Sequence, residues 1–88
     1  MLMERRIGAA VLLIRDKAAI IKLNKIVSAH ANIVIGRQGI PMQQKDLNVI
    51  TLVLEGSTDE IGSLTGQLGR LEGVQIKSAL IKDEHYGS

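Results

Sequence analysis

The sequence predicts an α+β fold, a four-stranded antiparallel sheet with two helices on one face. Four short apolar segments have strand character, and two segments repeat apolar residues every three or four positions. Their order is strand, helix, strand, strand, helix, strand, which is the ferredoxin-like βαββαβ arrangement. With 88 residues, the chain has room for one hydrophobic core. We therefore predict a single domain over 4–82, followed by a flexible C-terminal tail over 83–88.

The first predicted strand runs from Arg5 to Arg15 and is apolar on both faces. A strand of this kind is typically covered on both sides. The third predicted strand, from Leu47 to Glu55, has the same character. The residues on the two faces of the first strand are Ile7, Ala9, Val11 and Leu13 against Gly8, Ala10, Leu12 and Ile14.

The first predicted helix extends from Lys17 to about Ala31, with Asp16 as its N-cap. Its core-facing stripe consists of Ala19, Ile20, Leu23, Ile26 and Val27.

Two shorter strands complete the predicted sheet. The second strand covers Asn32 to Gln38, and Gly39 to Asp46 then form a connecting loop, because Pro41 cannot donate to a strand ladder. The fourth strand runs from Val74 to Ile81.

The second predicted helix has clear start and stop signals. Ser57 and Glu60 form a capping box, and Gly73 supplies a left-handed residue where the helix ends. Its core stripe consists of Ile61, Leu64, Leu68 and Leu71.

Three glycines, Gly62, Gly66 and Gly69, share the opposite face of this helix. Each glycine lowers the stability of the helix by about 1 kcal/mol relative to alanine. Three of them on one face therefore favour the interpretation that another helix, a second subunit or a ligand comes close to this face. The alternative is that an exposed face simply tolerates glycine.

The two strands that are apolar on both faces occupy the centre of the ferredoxin-like sheet, whose helices cover only one side. The other side needs a cover that this chain does not supply. We therefore predict a homodimer or a higher homo-oligomer.

Composition argues against several classes of function. The chain has no cysteine, a net charge of +2 and one aromatic residue, so we expect no metal site, no cofactor and no direct binding of nucleic acid. Ser28 and His30 do not face each other on a helix, and no other nucleophile–base pair is apparent, so we predict no enzymatic activity. Without an apolar run long enough for a leader or a membrane span, we expect a cytoplasmic protein.

Two passages, 35–41 and 56–77, together resemble the family described as regulators of the iron-only hydrogenase system. The sequences are Ile-Gly-Arg-Gln-Gly-Ile-Pro and Gly-Ser-Thr-Asp-Glu-Ile-Gly-Ser-Leu-Thr-Gly-Gln-Leu-Gly, the latter running on through Leu71 to Lys77. The resemblance covers nearly the whole chain. It implies an ACT-like variant of the ferredoxin-like fold, close in architecture to the C-terminal domain of nickel-responsive repressors.

The resemblance implies a non-catalytic regulatory module that acts as a homo-oligomer through a small effector or a partner protein. The alternative is an assembly protein that binds a partner and no small ligand. The residues that we expect to bind an effector or partner are Gly36, Arg37, Gly39, Gly62, Gly66 and Gly69. Turn geometry and subunit packing are the competing explanation for all six.

Overall fold

The computed structural model describes residues 5–82 and confirms the ferredoxin-like prediction. Four antiparallel strands form one sheet in the order β2-β3-β1-β4, so the two strands that are apolar on both faces are central, as predicted. The elements are β1 (Arg6–Ile14), α1 (Ala18–Ala29), β2 (Val34–Met42), β3 (Leu47–Gly56), α2 (Thr58–Gly69) and β4 (Val74–Lys82). The predicted tail over 83–88 lies outside the described residues, as does position 4.

The hydrophobic core lies between the two helices and one face of the sheet. Alternation along the strands sends Ala10, Leu12 and Ile14 of β1 into this core, together with Ile50, Leu52 and Leu54 of β3. Both predicted helix stripes are confirmed. The buried helix residues are Ala19, Leu23 and Val27 of α1 and Ile61, Leu64 and Leu68 of α2, while Ile20, Ile26 and Leu71 are half-buried against them.

Helix α2 begins with the predicted capping box. The Glu60 amide donates to Ser57 Oγ at 3.1 Å, and the Ser57 amide donates to Glu60 Oε1 at 2.9 Å. The hydrogen bond from the Ser57 amide is the main reason that the pKa of Glu60 is lowered, and Arg5 adds a smaller attraction at 3.7 Å.

The turn between β1 and α1 contacts the turn between α2 and β4. Gly73 has a φ of +79°, and a Cβ there would stand 2.6 Å from Asp16 Cβ. The Asp16 carboxylate accepts from the Ala18 amide at 3.0 Å, and the Arg15 amide donates to the Gly73 carbonyl at 2.9 Å.

Asp16 thus accepts a hydrogen bond at the start of α1 as predicted, although Lys17 occupies the N-cap position. Gly73 has the predicted left-handed conformation, but the prediction that it ends the helix is wrong, because α2 ends at Gly69 with Arg70 as its C-cap. The glycine instead makes room for the β1–α1 turn.

The predicted loop over 39–46 is wrong in its first half. Strand β2 continues through Gly39 to Met42 and pairs with the start of β3. Pro41 is tolerated there because β2 is an edge strand, where one side of the backbone needs no ladder partner. The predicted start at Asn32 is also wrong, since Ala31–Ile33 form a single 3-10 turn.

Candidate functional site

The open face of the sheet, the side away from the helices, holds five of the nine exposed large hydrophobic side chains among residues 5–82. Its side chains form four rows across the strands, because directly paired residues share a face. We number these rows from the end of the sheet where β1 begins. They are Glu55, Ile7 and Ile81 in row 1; Gly36, Val53, Ala9 and Ala79 in row 2; Gln38, Thr51, Val11 and Lys77 in row 3; and Ile40, Val49, Leu13 and Gln75 in row 4.

Exposed aliphatic side chains dominate these rows. Ile7, Val11, Val53 and Ile40 are each between 41% and 49% exposed, and Ile81 is 72% exposed. Only two of the fifteen residues in the rows, Glu55 and Lys77, carry a charge. Exposed apolar surface of this kind is typical of a face that contacts another molecule.

A hollow of about 240 Å³ interrupts the open face between β1 and β4. It is lined by Val11, Leu13, Gln75, Ile76 and Lys77, and so occupies rows 3 and 4. Ile81, the most exposed aliphatic side chain of the face, lies on the same strand pair in row 1.

The predicted site residues on β2 adopt extended conformations. Arg37 lies on the helix side of the strand, where its Nη2 donates to Asn24 Oδ1 of α1 at 2.7 Å. A Cβ on Gly36 would approach no atom outside its immediate chain neighbours closer than 3.8 Å, and one on Gly39 none closer than 4.0 Å. Neither glycine has a positive φ. Turn geometry, the competing explanation, therefore does not account for these two glycines.

The three glycines of α2 lie on the outer surface of the helix layer. A Cβ on Gly62 would meet nothing within 4 Å, and one on Gly66 would meet only Arg70 Nη2 at 3.9 Å. Gly69 differs, because a Cβ there would stand 3.3 Å from Ile76 Cγ2 of β4. A side chain would thus be tightly placed at Gly69, where Ile76 would have to shift slightly, but would have space at Gly62 and Gly66.

The structure does not bring the two groups of predicted residues together within one protomer. Strands β2 and β4 are opposite edges of the sheet, about 14 Å apart at the usual strand spacing. Arg37 belongs to the β2 edge beside α1, whereas Gly69 packs toward β4. A site that used both groups would need a second protomer.

Two features of the described chain were not predicted. His30 Nε2 lies 3.2 Å from Ser63 Oγ, and His30 Nδ1 lies 2.8 Å from the Ile26 carbonyl, so this half-buried histidine links α1 to α2. Thirty-three residues separate His30 and Ser63, a distance at which a single sequence carries no pairing signal. The second feature is a cleft of about 330 Å³ beside the β2–β3 turn, lined by Lys17, Pro41, Met42, Gln43, Asp46, Leu47 and Asn48.

Among residues 5–82, no three histidine or acidic side chains lie close enough together to hold a metal ion. In the same part of the chain, neither helix is long and apolar enough to cross a bilayer.

Several solved structures share this fold. The uncharacterized protein TM1266 from Thermotoga maritima is 28% identical, with a TM-score of 0.84 over 90% of this chain and 100% of that one. The C-terminal domain of the MgtC protein from Mycobacterium tuberculosis is 14% identical, covers 89% of both chains and has a TM-score of 0.67. A formyltetrahydrofolate deformylase from Pseudomonas putida KT2440 is 13% identical, with a TM-score of 0.62 over 83% of this chain and 28% of that one. At such identities the last two share the fold alone.

No curated protein sequence matches the chain. The TM1266-like family, whose description is "Iron-only hydrogenase system regulator, putative", matches residues 6–78, which include all six predicted site residues and the open face apart from Ala79 and Ile81. The chain belongs to the TM1266-like family.

Proposed function

We propose that this protein is a non-catalytic regulatory module of the iron-only hydrogenase system that works as a homo-oligomer. It responds to a small effector or to a partner protein that binds at a subunit interface. The observation that carries the proposal is the open face, which leaves the two central strands apolar and exposed on one side. A protein that worked as a monomer would keep this surface in water at a cost of about 25 cal/mol per Å² of apolar area.

The area of the open face suits self-association. Four strands spaced about 4.8 Å apart and four rows of side chains give a footprint of about 19 Å by about 24 Å. Two copies would bury about 900 Å² of flat area, and side-chain relief raises the accessible area toward the roughly 1,000 Å² expected of a biological interface.

The glycines and Arg37 have a defined place in this proposal. Gly36 lies in row 2 of the open face, where the absence of a side chain lets a second backbone come close. Arg37 has one donor occupied by Asn24, and its other donors suit an anionic group on an effector or partner. Gly62 and Gly66 present bare helix backbone to solvent for a second contact.

A thermal-shift screen of the purified protein against amino acids, nucleotides and divalent metals tests the effector. A ligand at about 100 times its dissociation constant adds about 2.7 kcal/mol to the folded state, which raises the midpoint on the order of 10 °C in a domain of this size. A flat screen combined with a stable protein complex recovered by co-purification would favour the assembly alternative.

Replacement of a glycine on α2 tests the role of that face. Gly66→Leu fits the described fold, so we expect normal folding with loss of oligomerisation or of the ligand response. Lys25→Leu is the matched control, since it also places a leucine on an exposed helix surface. Wild-type assembly and ligand response in Gly66→Leu would remove this face from the proposal.

A further inference from the structure

We propose that the open face binds a second copy of this chain, sheet against sheet, about a two-fold axis that runs across the strands. This inference deepens the proposed homo-oligomer by fixing how the two copies meet. The two-fold axis passes between rows 2 and 3, so row 1 of one copy lies over row 4 of the other and row 2 lies over row 3.

The sizes of the side chains favour this arrangement. On three of the four strands row 2 has the shorter residue, with Gly36, Ala9 and Ala79 against Gln38, Val11 and Lys77 in row 3. On β3 the two rows hold Val53 and Thr51, which are similar in size. Placing row 2 over row 3 brings short side chains against long ones, which fills the space between sheets about 10 Å apart. The alternative two-fold axis, parallel to the strands, would place row 2 over row 2 and leave a gap there.

The hollow provides the second argument. Under the transverse axis, Ile81 in row 1 of β4 lies over row 4 of β4 in the partner, where the hollow between Val11, Leu13 and Gln75 is situated. Its volume of about 240 Å³ exceeds the roughly 150 Å³ cavity that holds benzene, so an isoleucine side chain fits. Two-fold symmetry then places one such contact on each side of the axis.

The two charged residues of the face do not oppose this packing. Lys77 lies on the edge strand β4, so its aliphatic stem covers apolar surface while its ammonium group stays in water. Glu55 is in row 1, which lies at the rim of the proposed contact, where water is close to its carboxylate.

Cross-linking between introduced cysteines distinguishes the two axes, since the natural chain contains no cysteine. Under the transverse axis, Ala9 faces Val11 of the partner subunit, so an equimolar mixture of Ala9→Cys and tagged Val11→Cys should give the mixed dimer with a short bismaleimide. Under the parallel axis, Ala9→Cys should instead react with tagged Val53→Cys. A several-fold excess of the first product supports the proposal, and an excess of the second overturns it.

Sedimentation equilibrium of the full chain tests the Ile81 contact. We expect Ile81→Ala to weaken dimerisation at least about tenfold, because each copy loses a buried aliphatic contact. Ile21→Ala is the matched control, as Ile21 is 66% exposed on α1 and should leave the dimerisation constant unchanged. An unchanged constant for Ile81→Ala overturns the packing proposed here. A wild-type chain that stays monomeric contradicts both this packing and the homo-oligomer of the proposed function. An unchanged constant for Ile81→Ala in a chain that does dimerise contradicts this packing alone.

Discussion

Individual residues are constrained in this protein where the chain comes close to itself. Gly73 combines a positive φ with a close approach to Asp16, so both its backbone and its missing side chain matter. Gly62 has neither constraint, since it lies in mid-helix with open space where a Cβ would be. Glycines of one chain thus serve different purposes, and only the surroundings tell them apart.

Alanine substitution should separate these two glycines. We expect Gly73→Ala to lower the free energy of unfolding by about 1–3 kcal/mol, because a Cβ is strained at positive φ and collides with Asp16. Gly62→Ala should raise it by about 0.5–1 kcal/mol through better helix propensity. Urea unfolding measures the free energy of unfolding of both variants. Equal stability of Gly73→Ala and the wild type would show that a Cβ at position 73 is not strained.

At the scale of the element, α2 is stabilised at its start by charge as well as by hydrogen bonds. Glu60 lies in the first turn, where a carboxylate interacts favourably with the helix dipole and with the Ser57 amide. The same contacts lower its pKa, so the folded state holds the ionised form more strongly than the unfolded chain does.

This lowered pKa predicts a specific pH dependence. As the pH falls, Glu60 is protonated at a higher pH in the unfolded chain than in the folded protein. Its contribution to the free energy of unfolding is therefore complete above the ordinary glutamate pKa of about 4.3 and is lost as the pH falls through the lower pKa of the folded state. Glu60→Gln retains the capping box without the charge. We expect the stability difference between wild type and Glu60→Gln to shrink below about pH 4 in urea unfolding. A difference that is constant with pH would contradict this role.

For the whole molecule, the important property is the unequal covering of the sheet. One face packs against two helices, whereas the open face keeps Ile7, Val11 and Val53 more than 40% exposed. If a second copy covers this face, folding and association are linked by mass action.

The thermal midpoint should therefore depend on protein concentration. We expect the midpoint of the wild type to rise as the concentration increases, because only the folded chain associates. Val53→Asp should abolish this dependence, since it places a charge in the middle of the contact. Ile21→Asp, on the exposed surface of α1 and outside the open face, serves as the control and should keep it. A wild-type midpoint that does not change with concentration would be evidence against self-association.

Much of the fold could be read from local sequence because its signals are local. The capping box needs only Ser57 and Glu60, three residues apart, and the helix stripes follow from periodicity. The strands with two apolar faces also predicted that one side of the sheet is left uncovered by the helices. Alternation along a strand assigns its side chains to the two faces without knowledge of which strands are its neighbours.

Other features depend on contacts between distant residues. The extension of β2 through Pro41 depends on its pairing with β3. The predicted topology already placed β2 at an edge of the sheet, but how far this pairing runs is not specified by local sequence. The link from His30 to Ser63 and the separation of Arg37 from the α2 glycines likewise arise from how the helices lie on the sheet.

The sequence by itself thus determined the order of elements, the capping box of α2 and the apolar character of both sheet faces. Tertiary structure decided which residues of the open face are neighbours, and with them the rows of small and large side chains and the hollow beside Leu13. The physical reason is that periodicity assigns a residue to a face, whereas register between strands places it opposite a particular partner.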